Sequence, residues 1–299
     1  MNLVLTSIYG MSAEVIEPFF YSLRHSGYSD DIVVIVASIS EDCRALLKDY
    51  GARVLDSEYC GRPMTYAGLA RRLWLAPSAI YRAYWKHGRD VNCLIVNCGR
   101  FFHFHDYVSN LASLPDFILL ADVRDVVFQS NPFSFAFPKG LSAASERSDS
   151  TIGQSRGNSK WLWESAGYRE WRKLSGRTPV CSGTIVADGA TMRQYLQLMT
   201  QHLRRRYLWG LFDAIDQGLH NYFIHNEMIQ PLRIFENWRG PFLTLDSETV
   251  TPDRKTREGN LCNQDGSVVP IVHQYDRIRG LFRPGEPRPD CWKFYPGGS

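Results

Sequence analysis

Apolar residues in the opening of the chain come in short unbroken runs rather than in alternation with polar ones. Leu3 to Ile8 is one such run, closed by Tyr9 and Gly10, and the segment from Ser12 to Leu23 then spaces Val15, Ile16, Phe19, Phe20 and Leu23 at helical intervals. Ile32 to Ala37 is a second, β-branched run bounded by Ser38 and Ser40, after which Cys43, Leu46 and Leu47 carry a helix toward Gly51. Ala52 to Leu55 reads as a third strand. The order β-α-β-α-β predicts an α/β fold with a doubly wound, mostly parallel central sheet flanked by helices. Strands covered on both faces have no polar side, which explains the missing alternation.

Further along, helices are expected at 64–86, broken at Pro77, and at 100–112, with a short strand at Cys93 to Asn97 between them. Phe117 to Ala121 and Leu141 to Ser145 read as buried strands. The stretch 146–180 is polar and then Trp-rich, an excursion of loop and helix; its tryptophans from Trp161 to Trp171, with Trp209, Trp238 and Trp292, offer stacking platforms for sugar rings, although core packing is expected for most of them. A strand at Thr184 to Val186, helices near 190–207 and 212–225, a loop at 251–267 and a late strand at Val268 to Val272 complete the pattern. We read one domain over 1–299, with halves 1–135 and 136–299.

Composition narrows the partners. With 34 basic against 31 acidic residues the net charge is +3, too balanced for a nucleic-acid footprint, so no nucleic-acid partner is expected. Seven scattered cysteines without paired spacing suit reduced thiols. The N-terminal residues lack a basic leader and no run reaches the length of a spanning helix, so a cytoplasmic protein is expected. The basic run His202-Leu203-Arg204-Arg205-Arg206-Tyr207 allows a peripheral membrane contact, or is simply a solvated face.

The most informative segment is Phe117 to Phe133, where a buried strand runs straight into Asp122-Val123-Arg124-Asp125. Ligands of open α/β sheets bind outside the carboxyl ends of the strands, and this is where these charges are delivered. Asp122 and Asp125 would diverge on a regular strand, so serving one site requires a turn at 122–124. Converging carboxylates suit a hard divalent cation. The alternative is a structural turn in which Arg124 pairs with the aspartates.

The run Leu120-Ala-Asp-Val-Arg-Asp-Val-Val-Phe-Gln-Ser-Asn-Pro-Phe133 resembles the metal-binding segment of GT-A fold glycosyltransferases, as an Asp-x-x-Asp variant of their Asp-x-Asp motif. The resemblance puts Asp125 on the usual metal ligand, with Asp122 beside it, and makes His273, after the last strand, a third ligand. Val180-Cys181-Ser182-Gly183 resembles the segment, often Asn-Ser-Gly, that lines the donor-sugar region. Asp216-Gln217 resembles the motif opening a helix near the reacting sugar, which makes Asp216 a catalytic candidate beside Asp125; a helix N-terminal carboxylate is the plainer reading. Thr6, Ser7 and Tyr9 stand where that fold holds the nucleotide, and Arg100 resembles a donor-contacting arginine.

The resemblance therefore implies a glycosyltransferase using Mn²⁺ (or Mg²⁺), with a histidine ligand favouring manganese. It implies a nucleotide-sugar donor, UDP-linked, a carbohydrate or lipid-linked glycan acceptor, and a role in polysaccharide or glycan synthesis. The terminal histidine leans toward a retaining reaction. The rivals are a nucleotidyltransferase or phosphohydrolase on a similar sheet, and a non-catalytic carbohydrate-binding protein.

Overall fold

The computed structural model describes residues 1–56, 98–146, 149–207, 215–245 and 259–277. The helix and strand expected at 64–86 and 93–97 lie outside them. Strands β1 (Leu3–Tyr9), β2 (Asp31–Ala37), β3 (Arg53–Asp56), β4 (Phe117–Ala121), β6 (Leu141–Ser145), β7 (Val180–Asp188) and β8 (Leu232–Phe235) form one seven-stranded sheet in the order β3-β2-β1-β4-β7-β6-β8. β7 runs against its neighbours β4 and β6, and every other pairing in this sheet is parallel. β5 (Val126–Phe128), β9 (Phe242–Thr244) and β10 (Ile271–His273) make a second sheet in the order β5-β10-β9.

Each unbroken apolar run resolves into two alternating stripes. On β1, β2 and β4, the residues Leu3, Leu5, Val33, Ile35, Ile118 and Leu120 face one core, and Val4, Ile8, Val34, Val36 and Leu119 face the other. Helices α1 (Ala13–His25) and α2 (Glu41–Asp49) cover the second core, while α3 (Arg100–Ser109), α6 (Gly189–Tyr207) and α7 (Ile215–His225) cover the first. α4 (Arg156–Ala166) and α5 (Tyr168–Leu174) form a hairpin against α7. Burying both faces of a strand removes about 25 cal/mol of unfavourable hydration per Å² of apolar surface, so these runs form the centre of the fold.

Local chemistry sets the ends. Ser40 caps α2, its Oγ accepting from the Cys43 N–H at 3.3 Å. α3 stops at Ser109, short of the expected 112, because Asn110 caps it and its side chain returns to the Asp106 carbonyl. β7 is longer than the expected 184–186, since it is paired on both sides. The late strand begins at Ile271, not Val268, which instead bridges back to Cys262. β5, β8 and β9 have three or four residues each, too few to show a period. The four cysteines within the described residues are all free and buried. Among those residues no helix is long and apolar enough to cross a membrane.

Candidate active site

The acidic turn is the seam between the two sheets. β4 ends at Ala121, paired with Thr184 on β7, and the next residue, Asp122, donates its backbone N–H to the Gly183 carbonyl at 2.9 Å. Val123 then drops into the apolar core and the chain turns through 123–125 to enter β5 of the second sheet. There Val126 pairs with His273, and the Gln274 N–H closes onto the Asp125 carbonyl at 2.6 Å. Crossing between sheets requires the turn that lets both aspartates face one site, and the pairing of β5 with β10 brings His273 from 148 positions further along the chain to meet Asp125.

Asp122, Asp125 and His273 each offer a ligand atom, all within 4.8 Å of one another, and this is the one such cluster among the described residues. His273 Nε2 lies 3.6 Å from Asp125 Oδ1, an oxygen buried with no hydrogen-bond partner. An orphaned buried carboxylate oxygen carries a desolvation cost that a bound cation removes. Gly183 leaves the space: a Cβ there would stand 2.7 Å from His273 Nε2 and 3.0 Å from Asp122 Oδ2. Two carboxylates and one imidazole therefore fit a divalent cation of the manganese type. Cys181 Sγ sits 3.3 Å from His273 Nδ1, leaving Nε2 turned toward the aspartates. Burial raises the Asp125 carboxyl against the pull of His273. Burial alone would lower the His273 imidazole, but Cys181, Asp125 and Asp122 outweigh it and lift the group to about 10.

Arg100 ties the turn to α7. One guanidinium nitrogen bonds to Asp122 Oδ1 and another stands 3.3 Å from Asp216 Oδ2. The side chain is largely withdrawn from solvent rather than a solvated helix cation, and burial raises the Asp216 carboxyl despite that partner. Arg124 approaches Asp125 Oδ2 at 3.5 Å but stays half exposed. The ion-pair turn considered from sequence is thus only a loose contact on Asp125, while the cation on Asp122, Arg100, comes from another element.

These groups border a cavity of about 380 Å³, with Ser7, Ser182, Gly183 and Asp216 on its walls. Thr6 does not reach it: strand alternation turns the side chain inward, and its hydroxyl donates to the Ala121 carbonyl at 2.7 Å, fastening β1 to β4. Tyr9, half-buried at the end of β1, is not among the described lining residues.

Glu146 and Asn158 escaped the sequence reading. Glu146 follows the end of β6 much as Asp122 follows β4, and it borders the cleft. Its carboxylate oxygens accept from Gln217 Nε2 and from Asn158 Nδ2, each at 2.7 Å. Gln217 also accepts from the Ser182 N–H at 2.9 Å, so one carboxamide fixes the start of β7 at the cleft wall. A carboxylate just past the carboxyl end of a strand was the available signal. Of the tryptophans expected in core packing, Trp238 is buried, whereas Trp161 borders the cleft and Trp163 is exposed; Trp209 and Trp292 lie outside the described residues.

No protein-family model matches the chain, and no curated protein matches it. Solved structures do. A crystal structure of the galactosyltransferase LgtC in complex with donor and acceptor sugar analogs matches with a TM-score of 0.52 at 13% identity, over 95% of this chain and 90% of that one. An active-site mutant of LgtC with glutamine replaced by glutamate matches with a TM-score of 0.52 at 12% identity, over 97% and 92%. Likeness at this identity is likeness of architecture: the chain, with its mostly parallel seven-stranded sheet, has the GT-A fold.

Proposed function

We propose that the chain is a metal-dependent glycosyltransferase that moves a sugar from a nucleotide-diphosphate donor, UDP-linked in the reading from sequence, to a carbohydrate or lipid-linked acceptor. The observation that carries this reading is the convergence of Asp122, Asp125 and His273 beneath Gly183, at a cleft beyond the strand ends. The fold supports it, since LgtC holds donor and acceptor sugar analogs.

Asp125 and His273 would hold Mn²⁺ or Mg²⁺, with Asp122 as a third ligand. Such a cation, when bound, neutralises the charge that develops on a departing diphosphate. The chain's own residues do the rest. Arg124 and Arg277 border the same cleft, adding positive charge where phosphate oxygens would lie. Arg100 keeps Asp122 and Asp216 at a fixed separation by bonding to both, so the metal side and the sugar side move together. Asp216 and Glu146 are the acceptors for donor or acceptor hydroxyls, and Ser7, Ser182 and Gly183 lie where the donor would pass. Burial of Asp125, Asp216 and His273 strengthens the interactions they make relative to water. His273 as the nitrogen ligand favours manganese and a retaining course.

The test is a screen for donor hydrolysis over nucleotide sugars in Mn²⁺, repeated for Asp125→Ala. Turnover is expected to fall by at least ~100-fold while the melting temperature measured without metal stays that of wild type, because the substitution removes a ligand and not a packed apolar group. Undiminished turnover in the variant would sink the proposal.

A further inference from the structure

The large apolar side chains exposed among the described residues are Met1, Val15, Trp163, Tyr168 and Ile234. The two aromatic ones adjoin. Trp163 is 58% and Tyr168 55% exposed, with ring centroids 6.2 Å apart on opposite arms of the α4–α5 hairpin. Trp171 completes the group, 6.3 Å from Trp163 and stacked on Tyr168 at 5.7 Å. Its indole N–H donates to Ser159 Oγ at 2.8 Å, so α5 is fastened to α4 and the rings are held in place.

α4 carries two stripes at the same helical spacing. Asn158, Leu162 and Ser165 are buried, toward α7, while Arg156, Lys160 and Trp163 are exposed. Across the turn Arg169, Arg172 and Lys173 are exposed too, and the Arg172 guanidinium lies 5.9 Å over the Tyr168 ring. From 156 to 173 five exposed cations stand against two half-buried acids, Glu164 and Glu170. That surplus of three equals the formal net charge of the entire chain. Its concentration beside exposed aromatics is what calls for a partner.

We propose that the outer face of the α4–α5 hairpin docks on a membrane bearing anionic lipid headgroups. Trp and Tyr settle at the level of the headgroups, with the ring in the acyl boundary and the polar tip wet. Each nearby Lys or Arg strengthens attachment to an anionic surface about fivefold. A neutral glycan makes no use of five cations, and Tyr168 already has Trp171 stacked on it and the Arg172 guanidinium over its ring. Trp161 borders the cleft from the same helix, so a bilayer held by the hairpin lies one helix width from it. The use of that proximity, presenting a lipid-linked acceptor, rests on the transferase reading; the docking surface does not.

The test is co-sedimentation of the full chain with large vesicles of phosphatidylcholine alone, or of phosphatidylcholine and phosphatidylglycerol in equal parts. The wild type is expected to partition at least ~10-fold more strongly to the anionic vesicles, and to lose this as salt rises. Trp163→Ala with Tyr168→Ala is expected to weaken binding about 10-fold. Arg169→Ala with Arg172→Ala is expected to weaken it about 25-fold, at fivefold per arginine. Donor hydrolysis in free solution remains that of wild type, which shows that the variants are folded, because none of these residues borders the cleft. Equal partition to both vesicles, or variants that bind like wild type, overturns the proposal, as does capture by soluble oligosaccharide in place of vesicles. The hydrolysis assay uses no lipid, so failure of docking and failure of the transferase reading are told apart.

Discussion

Single side chains at the candidate site show how it is assembled from neighbours far apart in sequence. Gly183 and Cys181, two apart on one strand, respectively leave room for the cluster and meet His273 from behind. A metal-bound imidazole needs its other nitrogen held, and loss of such a partner typically weakens metal binding 10- to 100-fold. Cys181→Ala should therefore lower Mn²⁺ affinity about 10-fold by calorimetric titration, and Cys181→Ser, whose hydroxyl can also accept from Nδ1, should recover most of it. Equal affinity in all three proteins would show that the sulfur only fills space. Asp122 and Asp125 were legible because a buried strand ending in charge has few structural explanations, whereas His273 was named only through the family resemblance. Thr6 was misplaced because facing depends on register, which β1 acquires only by pairing with β2 and β4.

At the scale of elements, α7 is unusual in being buried on nearly all sides while carrying Asp216, Gln217, His220 and Asn221. Each has a partner: Arg100, Glu146 with Asn158, Tyr195, and the Val180 backbone. Its approach to α4 depends on Gly218, where a Cβ would meet the Trp161 carbonyl oxygen at 2.2 Å and Ser165 Oγ at 2.4 Å. Gly218→Ala should destabilise the fold by about 1–3 kcal/mol in urea denaturation, since backbone cannot yield as a side chain can. His220 gives α7 a pH signature. Burial pushes its imidazole down to about 3, from an ordinary 6.5, so the folded chain keeps it neutral where the unfolded chain takes a proton. This contribution is complete above pH 6.5 and is lost toward acid at about 1.4 kcal/mol per pH unit. His220→Phe should flatten the fall in stability between pH 6.5 and about pH 4, measured by urea denaturation. The helix was expected from its period; the partners of its polar residues were not, because none is nearby in sequence.

For the whole molecule, a cation at the seam would join the two sheets through Asp122 on one side and Asp125 and His273 on the other. Ligand that binds only the folded chain stabilises it, by about 2.7 kcal/mol at a hundredfold excess over its Kd. Mn²⁺ should accordingly raise Tm by several degrees in thermal scanning, reversibly with chelator, and not in Asp125→Ala. A shift of equal size in the variant would place the metal elsewhere. The sequence by itself determined the repeating strand and helix order, the doubly wound sheet and the acidic strand end, because periodicity and strand burial are written locally. Tertiary structure alone decided that β5 leaves the central sheet, that Glu146 and Trp161 reach the cleft, and that Arg100 spans from the turn to α7. Those outcomes depend on contacts between residues tens to more than a hundred positions apart, and no local pattern encodes which distant surfaces will close on one another.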